Sequence, residues 1–208
     1  MLFPLLRYYY QFKPRLLGWM VKLFLSHSKF RIGTNFQCDS FPRIVLDKGA
    51  EIAIGDNVLF RRNVEIRAHG KASVSIGNNC RIDRGVRILA ANDAKIILEE
   101  GVRMGLYTVL NGGDSIFIGR KSLISGFVYL QTSMHNYQGQ MDIQAQGYSH
   151  EPIEVGDDCW LGTHVVIFPG VCLGKKCVVG SNSVVTKSFL DNTVLTGIPA
   201  TKLKERAI

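Results

Sequence analysis

The sequence predicts a single domain folded as a parallel β-helix, preceded by a short helical segment. Three observations lead to this prediction: a five-residue motif recurs, aliphatic residues return every six positions, and the motif spacing fits coils of 18 residues. A six-residue period suits neither the 3.6-residue period of a helix nor the alternation of an ordinary strand. It is typical of a parallel β-helix, in which each coil contains three short strands.

The motif reads aliphatic, Gly, polar, polar, small, and it has five clear copies. They begin at Ile54, Ile76, Ile118, Val155 and Leu173. The last two starts lie 18 residues apart, which is one coil of three six-residue units. Ile54, Ile76 and Leu98 lie 22 residues apart and Leu98 and Ile118 lie 20 apart, and turn-forming clusters at residues 68–71, 91–93 and 112–114 explain the surplus. We expect about eight coils in all.

One interval breaks this spacing and predicts a long loop. Ile118 and Val155 lie 37 residues apart, so the chain must leave the coil between them. The departure comes just after His135, and we expect the loop to occupy about residues 136–151. Irregular loops on a rigid scaffold commonly carry binding or catalytic groups. The search for a functional site therefore starts here.

The composition fits one well-buried domain. The 208 residues are 46% hydrophobic, and the repeat predicts a β-helix domain at residues 36–198, between an N-terminal segment at 1–35 and a tail at 199–208. Five cysteines form no Cys-x-x-Cys pair, and Cys80, Cys159 and Cys177 share the small inward position of the repeat. We therefore expect buried packing thiols rather than metal ligands or disulfides, and a reducing, cytoplasmic setting.

The N-terminal segment is basic and amphipathic. Six of the eight net positive charges fall in residues 1–38, which contain no acidic residue: Arg7, Lys13, Arg15, Lys22, Lys29 and Arg31. Its apolar runs are too short for a membrane span, and no signal-peptide cleavage site follows. A helix after Pro14 would place on one face an apolar set, Leu16, Trp19, Met20, Leu23 and Phe24.

Two interpretations of this helix remain open, and they are compatible. The helix can cover the β-helix, or residues 1–32 can lie on an anionic membrane surface, such as the inner face of the cytoplasmic membrane. Nucleic-acid binding is not predicted, because no recognised motif accompanies the charge.

The segment from His135 to the C-terminus resembles the hexapeptide-repeat acyltransferases, in particular the branch of galactoside, maltose and nodulation-factor O-acetyltransferases. The short elements His135-Asn136-Tyr137 and Gln146-Gly147 are most similar to enzymes that modify bacterial surface polysaccharides. The longer matching runs are Pro152-Ile153-Glu154-Val155-Gly156-Asp157-Asp158-Cys159-Trp160-Leu161-Gly162, Pro169-Gly170-Val171, Val179-Gly180-Ser181-Asn182-Ser183-Val184-Val185-Thr186-Lys187 and Gly197-Ile198-Pro199-Ala200.

This resemblance implies a left-handed parallel β-helix that assembles as a homotrimer. It also implies that acetyl-CoA lies between neighbouring subunits as the acyl donor and that no metal is required. The left hand is unusual, because crossovers between parallel strands are otherwise right-handed.

Acetyl transfer to a sugar hydroxyl needs a base for the hydroxyl proton and a donor for the oxyanion. His135 is the candidate base, because imidazole titrates near neutral pH, because it stands where the chain leaves a coil, and because it matches the family's catalytic base. His27, His69, His150 and His164 have no comparable position. The resemblance assigns the oxyanion donor to the backbone N–H of Thr163.

The remaining site residues are also implied by the resemblance. Those expected to contact the cofactor are Trp160, Thr163, Ser181, Thr186, Lys187 and Lys204. Lys202 or Arg206 could replace Lys204 at the CoA phosphates. Gly105 stands where the galactoside branch has Asn, so the acceptor residues are less well defined. The candidates are Tyr107, Asn111 and Asn136.

The sequence therefore predicts an acetyl-CoA-dependent O-acetyltransferase acting on a sugar hydroxyl of a bacterial surface polysaccharide or its lipid-linked precursor. N-acetylation of a nucleotide-linked amino sugar is the alternative within the same fold. Two alternatives belong to other functional classes: a non-catalytic β-helix scaffold and a zinc hydrase of the same shape. The hydrase would need three converging His ligands, and the histidine spacing offers no close pair.

Overall fold

A computed structural model describes the backbone of residues 2–207, with the side chains of Tyr9 and residues 12–207. One long helix, α1 (Leu2–Leu25), precedes a solenoid of parallel strands. The strands form three parallel sheets, called here the first, second and third faces, and each coil contributes one strand to each face in turn. The predicted parallel β-helix is confirmed, with seven coils rather than about eight; its left hand stays a prediction.

The first four coils contain three short strands each. They are β1 (Phe30–Ile32), β2 (Gln37–Cys38) and β3 (Arg43–Leu46); β4 (Glu51–Ile54), β5 (Leu59–Phe60) and β6 (Glu65–Ala68); β7 (Ser73–Ile76), β8 (Arg81–Ile82) and β9 (Arg87–Ala90); and β10 (Lys95–Leu98), β11 (Arg103–Met104) and β12 (Val109–Gly112).

The fifth coil is followed by a two-stranded hairpin, and two further coils complete the solenoid. The fifth coil contains β13 (Ile116–Ile118), β14 (Leu123–Ile124) and β15 (Tyr129–Gln131), and the hairpin contains β16 (Ser133–His135) and β17 (Tyr148–His150). The last coils contain β18 (Ile153–Val155), β19 (Trp160–Leu161) and β20 (Val166–Ile167), then β21 (Cys172–Leu173), β22 (Val178–Val179) and β23 (Val184–Val185). The chain ends with β24 (Thr193–Gly197) and β25 (Ala200–Glu205).

The repeat motif is explained by stacking of equivalent positions. Ile54 pairs with Ile76 in the first face, and both side chains are buried in the core. At the following corner, Gly55 has no room for a Cβ, because that atom would lie 2.9 Å from the Asn78 backbone nitrogen. The polar residue after each corner glycine can bond the preceding coil through its side chain. Asn78, which follows Gly77, accepts the Asp56 N–H through Oδ1 at 2.8 Å. Aliphatic, Gly and Asp or Asn thus have distinct structural tasks.

The cysteines of the repeat occupy the small inward position, as predicted. Cys80, Cys159 and Cys177 are free and buried. Burial raises the pKa of the Cys80 thiol to about 11. This keeps the thiol protonated at neutral pH, as expected for a packing residue.

Helix α1 differs from its predicted form in two ways. It runs through Pro14 and not only after it, and the β-helix begins at Phe30, before the expected boundary at residue 36. Pro14, Gly18 and Val21 are buried, and a Cβ on Gly18 would lie 2.7 Å from the Phe36 carbonyl carbon. Packing on the first coil compensates for the hydrogen bond that a proline removes from a helix.

The covering interpretation of α1 is therefore supported, and the other face of the helix stays exposed. Trp19, Leu23 and Phe24 have 60%, 58% and 67% of their surface accessible. The side chains of residues 1–8, 10 and 11, including Arg7, lie outside the described residues. Among the described residues, no helix combines the length and hydropathy that crossing a bilayer requires.

Two other boundaries are refined by the structure. The predicted tail at 199–208 contains β25, which pairs antiparallel with β24 at the end of the second face. The predicted loop at 136–151 is the tip and return arm of the hairpin, whose antiparallel strands pair Ser133 with His150 and His135 with Tyr148.

Candidate functional site

His135 lies at the end of strand β16, where the hairpin leaves the edge between the third and first faces. Its side chain is exposed. The imidazole lies against the Tyr148 ring, with centroids 4.1 Å apart and planes inclined by 38°. The ring contact limits the orientations of the imidazole while leaving it accessible to a ligand.

A second histidine supports the base of the same hairpin. His150 Nδ1 lies 2.8 Å from the Ser133 hydroxyl oxygen. Thr132 accepts the Glu151 N–H at 3.0 Å through its carbonyl and so ties the return arm to the coil. His150 thus has a hydrogen-bonded structural position, whereas His135 forms no hydrogen bond with any described side chain.

Three predicted cofactor residues cluster at another edge, between the second and third faces. We call it the tryptophan edge and define it by Trp160, Thr163 and Ser181. The Trp160 indole is half exposed and donates to Ser125 Oγ at 3.1 Å. Ser181 is exposed, and a Cβ on Gly162 would lie 2.6 Å from the Ser181 backbone nitrogen. These contacts join the sixth coil to the fifth and to the seventh at this edge.

Thr163 has a fixed side chain and an unused backbone donor. Its hydroxyl donates to the Gly126 carbonyl at 2.8 Å, and its carbonyl accepts the Asn182 N–H at 2.9 Å. Within residues 2–207, the Thr163 N–H forms no hydrogen bond. An unpaired backbone N–H on a fixed corner is suited to bind a developing oxyanion.

Thr186 and Lys187 lie on the other side of the third face from the tryptophan edge. They directly follow β23, so they share with the hairpin the edge between the third and first faces. We call this the hairpin edge and define it by His135, Thr186 and Lys187. Thr186 and Lys187 are both exposed, and Lys187 Nζ lies 5.8 Å from the centroid of the Phe189 ring.

One chain does not bring the candidate base and the candidate oxyanion donor together. Thr163 lies over Gly126, at the start of the third face, whereas His135 follows Thr132 at its far end. Six residues of strand at roughly 3.3 Å each separate these edges by about 20 Å. An acetyl group is only a few ångströms across, so both residues can act on one only if two subunits contribute.

The C-terminal cations have different partners. Lys204 is exposed on β25, whereas Lys202 pairs with Glu205 at 3.0 Å. Arg206 forms an ion pair with Asp158 at 3.1 Å and donates to the Asp158 carbonyl at the same distance. Lys204 therefore remains the more available of these three for a phosphate.

The three acceptor candidates lie in different places. Asn111 is on the third face, and its amide donates to the Tyr129 hydroxyl at 3.1 Å. Tyr107 lies near the tryptophan edge and stacks on Phe127 at 5.6 Å. Asn136 is in the hairpin and donates to the Gln146 carbonyl at 3.0 Å. Asn111 therefore belongs to the third face, Tyr107 to the tryptophan edge, and Asn136 to the hairpin beside His135.

Three aromatic residues at the tryptophan edge were not singled out together by the sequence. Phe127 stacks on His164 with centroids 5.0 Å apart, and Tyr107 continues the column. Tyr107, Phe127 and His164 have φ values of 53°, 59° and 58°, a conformation that bulky residues seldom adopt. The spacing of one aromatic per coil is the signal that could have revealed them.

The described residues contain no group of three or more His, Cys, Asp or Glu side chains arranged to hold a metal ion.

Comparison with known proteins supports the repeat. The family described as "Hexapeptide repeat of succinyl-transferase" matches residues 51–90 and 152–187. The second segment includes the whole tryptophan edge and extends through Lys187.

Named relatives are similar over part of the chain. The galactoside O-acetyltransferase of Escherichia coli K12 is 36% identical over 91 residues, 44% of each protein. An E. coli K12 protein provisionally named as a colanic acid biosynthesis acetyltransferase is 40% identical over 107 residues, 51% of this chain and 54% of that protein. An O-acetyl transferase provisionally named for lipopolysaccharide biosynthesis in the same strain is 30% identical, with 53% and 60% covered. The chain spans about half the length of these relatives.

Solved structures share the fold. An N-acyltransferase from Bacillus cereus, in complex with dTDP-4-amino-4,6-dideoxyglucose and coenzyme A, aligns with a TM-score of 0.61 at 22% identity over 86% of both chains. The polysialic acid O-acetyltransferase OatWY aligns with a TM-score of 0.59 at 20% identity, covering 88% of this chain and 90% of that one. The chain thus combines a parallel β-helix with two segments that match the hexapeptide-repeat family. Its named relatives are acetyltransferases.

Proposed function

We propose that this protein is an acetyl-CoA-dependent O-acetyltransferase that modifies a sugar hydroxyl of a surface polysaccharide or its lipid-linked precursor. The observation that carries the proposal is the match at residues 152–187, which contains the tryptophan edge and follows the His135 hairpin. Two relatives named for cell-surface polysaccharide biosynthesis are similar over about half the chain. They support a glycan as the acceptor.

In the proposed reaction, His135 accepts the proton of the sugar hydroxyl as its oxygen attacks the thioester carbonyl. The new C–O bond creates a tetrahedral oxyanion, which the Thr163 N–H of the partner subunit stabilises. Collapse of this intermediate breaks the C–S bond and releases CoA thiolate, which takes the proton back from His135. The acetyl ester and CoA are the products, and the enzyme returns to its starting protonation state.

The separation of the two edges supports a homotrimer. Closed cyclic assembly repeats one contact around a symmetry axis, so each hairpin edge can face the tryptophan edge of the next subunit. Each acetyl-CoA would then contact Thr186 and Lys187 from one chain and Trp160 and Ser181 from the other. Lys204 would be the C-terminal contact to the CoA phosphates.

We further propose that helix α1 lies on an anionic membrane surface, at the inner face of the cytoplasmic membrane. The helix packs on the first coil with one side and exposes apolar side chains on the other, where Arg15 is also exposed. Apolar burial and basic charge together favour binding in the headgroup region. Such a location would bring the enzyme to a lipid-linked acceptor.

The function is tested by measuring CoA release from acetyl-CoA against an acceptor panel. The panel contains neutral oligosaccharides, nucleotide sugars, nucleotide-linked amino sugars and polyprenyl-diphosphate sugars. We expect acceptor-dependent CoA release and an alkali-labile acetyl ester on the product. An alkali-stable amide on an amino sugar would replace O-acetylation with the N-acetyl alternative. Absence of release with the whole panel, from folded protein that still binds acetyl-CoA, would contradict the proposed acceptor class.

A further inference from the structure

The outer surface of the third face carries a cavity of about 250 Å³ below the hairpin edge. Its lining combines guanidinium groups, apolar side chains and hydrogen-bonding groups. The lining residues are Glu65, Arg67, Arg87, Ile88, Leu89, Val109, Asn111 and Tyr129. They come from β6, β9, β12 and β15, so the cavity extends from the second coil to the coil that ends in the hairpin.

The arginines of this cavity are organised around one carboxylate. Glu65 Oε1 accepts from Arg67 at 2.6 Å, and Glu65 Oε2 accepts from Arg87 Nε at 2.9 Å. Arg43 Nε approaches Glu65 from the first coil at 3.5 Å. Only 13% of the Glu65 side chain is exposed, against 29% for Arg67 and 54% for Arg87. One carboxylate facing three guanidiniums leaves two positive charges in excess.

The geometry leaves guanidinium donors available to a ligand. Each guanidinium has five N–H groups in a planar fork. Glu65 offers only two oxygens to the three guanidiniums, so most of their N–H groups are not bonded to it. Charged donors held in a fixed fork are suited to bidentate binding of phosphate or carboxylate. Leu89 and Val109 give the cavity an apolar lining, while the Asn111 amide and the Tyr129 hydroxyl provide polar groups. Sugar rings present both kinds of surface.

The position of the cavity fits an acceptor that extends toward His135. Arg87 pairs with Val109, and Val109 pairs with Tyr129. Arg87 therefore lies two coils below Tyr129, which is in the strand that precedes the hairpin. At roughly 4.8 Å per coil, the guanidinium and the hairpin coil are about 10 Å apart along the axis. Three residues of strand from Tyr129 to Thr132 add about 10 Å across the face, so roughly two or three sugar rings would span the path to the hairpin edge.

We propose that this cavity binds the anionic group of the acceptor, a phosphate or carboxylate roughly two or three sugar rings from the hydroxyl that receives the acetyl group. The inference rests on the proposed function for the reaction, and it adds the charge of the substrate. Glu65 lowers the excess charge of the guanidiniums, so that binding remains reversible.

The test measures anion binding separately from turnover. Inorganic pyrophosphate and glucuronic acid are titrated by calorimetry, in chloride buffer, into the wild type, Arg87→Gln, Arg67→Gln and Arg81→Gln. Arg81 is the matched control, because it is exposed like Arg87 and lies in the same coil but on the second face, where it lines a separate cavity with Arg61 and Arg103. We expect affinity for at least one probe to fall about tenfold or more in Arg87→Gln and Arg67→Gln, with Arg81→Gln unchanged.

Glu65→Gln distinguishes a ligand site from a purely structural ion cluster. Removing the carboxylate releases guanidinium donors and adds positive charge, so anion affinity should rise even if the protein becomes less stable. The inference is overturned if wild type binds neither probe or if Arg81→Gln and Arg87→Gln behave alike. It is also overturned if Glu65→Gln loses binding while remaining folded by thermal melting.

Kinetics then separate this inference from the proposed function. With an acceptor from the panel that carries the preferred anion, Arg87→Gln should raise the acceptor KM about tenfold or more and leave the KM for acetyl-CoA unchanged. The KM for a neutral acceptor should be the same in Arg87→Gln as in wild type. Unchanged acceptor KM in Arg87→Gln overturns the anion site while acetyl transfer stands. If the protein binds the anion but transfers no acetyl group to any acceptor, the proposed reaction is contradicted and the anion site is supported.

Discussion

At the scale of single residues, His135 is distinguished by its surroundings on the hairpin. Its imidazole is accessible and in contact with the Tyr148 ring, whereas His150 is hydrogen-bonded to Ser133. His164 is stacked on Phe127, and His69 lies 3.5 Å from Asp47. The position of His135, exposed at the mouth of a hairpin, suits a group that must reach a substrate.

Replacing His135 by Ala should lower acetyl transfer by about 10² to 10⁴, the usual contribution of a general base. The KM for acetyl-CoA should change little, because His135 is not among the proposed cofactor contacts. Turnover is measured by CoA release with the panel acceptor. His69→Ala is the control, since His69 lies in a corner turn of the second coil, and it should keep wild-type activity. Full turnover of His135→Ala would rule out its role as the base.

Glu65 makes stability depend on pH in a predictable direction. Burial alone would raise its pKa, but the Arg67 hydrogen bond and the charges of Arg67, Arg87 and Arg43 outweigh burial and hold the pKa below its ordinary value of 4.5. A lowered folded-state pKa means that ionised Glu65 stabilises the protein above about pH 4.5 and that this contribution is lost as pH falls through the folded-state pKa.

Glu65→Gln should therefore unfold more easily than wild type at neutral pH, and the difference should shrink below about pH 4.5. Urea unfolding of both proteins between pH 7 and pH 3 measures the difference in free energy. A difference that stays constant over this range would show that the carboxylate charge is not responsible.

The sequence identified residues that follow from a repeat or a motif, and it missed those that depend on packing between coils. The inward positions of Cys80 and Ile76 follow from the six-residue period alone. The contact of Tyr148 with His135 depends on the pairing of β16 with β17, which an irregular loop does not reveal in sequence. By contrast, Arg43, Glu65 and Arg87 are spaced 22 residues apart, the same interval as Ile54 and Ile76, so the repeat could have revealed that they form one column.

At the scale of elements, α1 shows how one helix can have two apolar faces. Packing of the helix on the β-helix was expected, but the buried residues are Pro14, Gly18 and Val21 and not the apolar set named from sequence. The passage through Pro14 was not expected either, because local preference favours a helix boundary there. Tertiary packing of Gly18 on the first coil decides the outcome. The exposed face contains most of the apolar set named from sequence, including Trp19, Leu23 and Phe24.

If that exposed face binds lipid, Trp19→Ser combined with Leu23→Ser should reduce binding to anionic vesicles by tenfold or more. Each large apolar side chain contributes about 1.5–3 kcal/mol when fully buried, and the basic residues add a salt-sensitive attraction. Sedimentation with anionic and neutral vesicles, at low and high salt, measures the effect.

The matched control is Leu190→Ser, which alters an equally apolar side chain that is 86% exposed beyond the last coil. It should bind vesicles as wild type does. Wild type that stays in the supernatant with every vesicle and salt concentration would limit α1 to covering the first coil.

At the scale of the whole molecule, the third face separates two half-sites. His135, Thr186 and Lys187 lie at the hairpin edge, and Trp160, Thr163 and Ser181 lie at the tryptophan edge, about 20 Å away at the usual rise of a strand. The fold and the order of the coils could be predicted from the repeat. The division of the site could not, because it depends on which corner of each coil a residue occupies. The proposed trimer rejoins the halves by repeating one contact around a closed ring.

Mixing two inactive variants tests this account most directly. His135→Ala removes the base at one edge, and Ser181→Trp fills the groove at the other, so each variant alone should be inactive. In a mixed trimer, a site has both edges intact when its hairpin edge comes from a Ser181→Trp subunit and its tryptophan edge comes from a His135→Ala subunit.

An equal mixture of the two variants, co-expressed or refolded together, should then recover about a quarter of wild-type CoA release. In randomly assembled cyclic trimers, each edge of a site comes from the required variant with a probability of about one half, so about a quarter of the sites have both edges intact. Recovery near this level from two inactive parents is the predicted result. No recovery from mixed trimers verified by mass spectrometry would contradict a site shared between subunits.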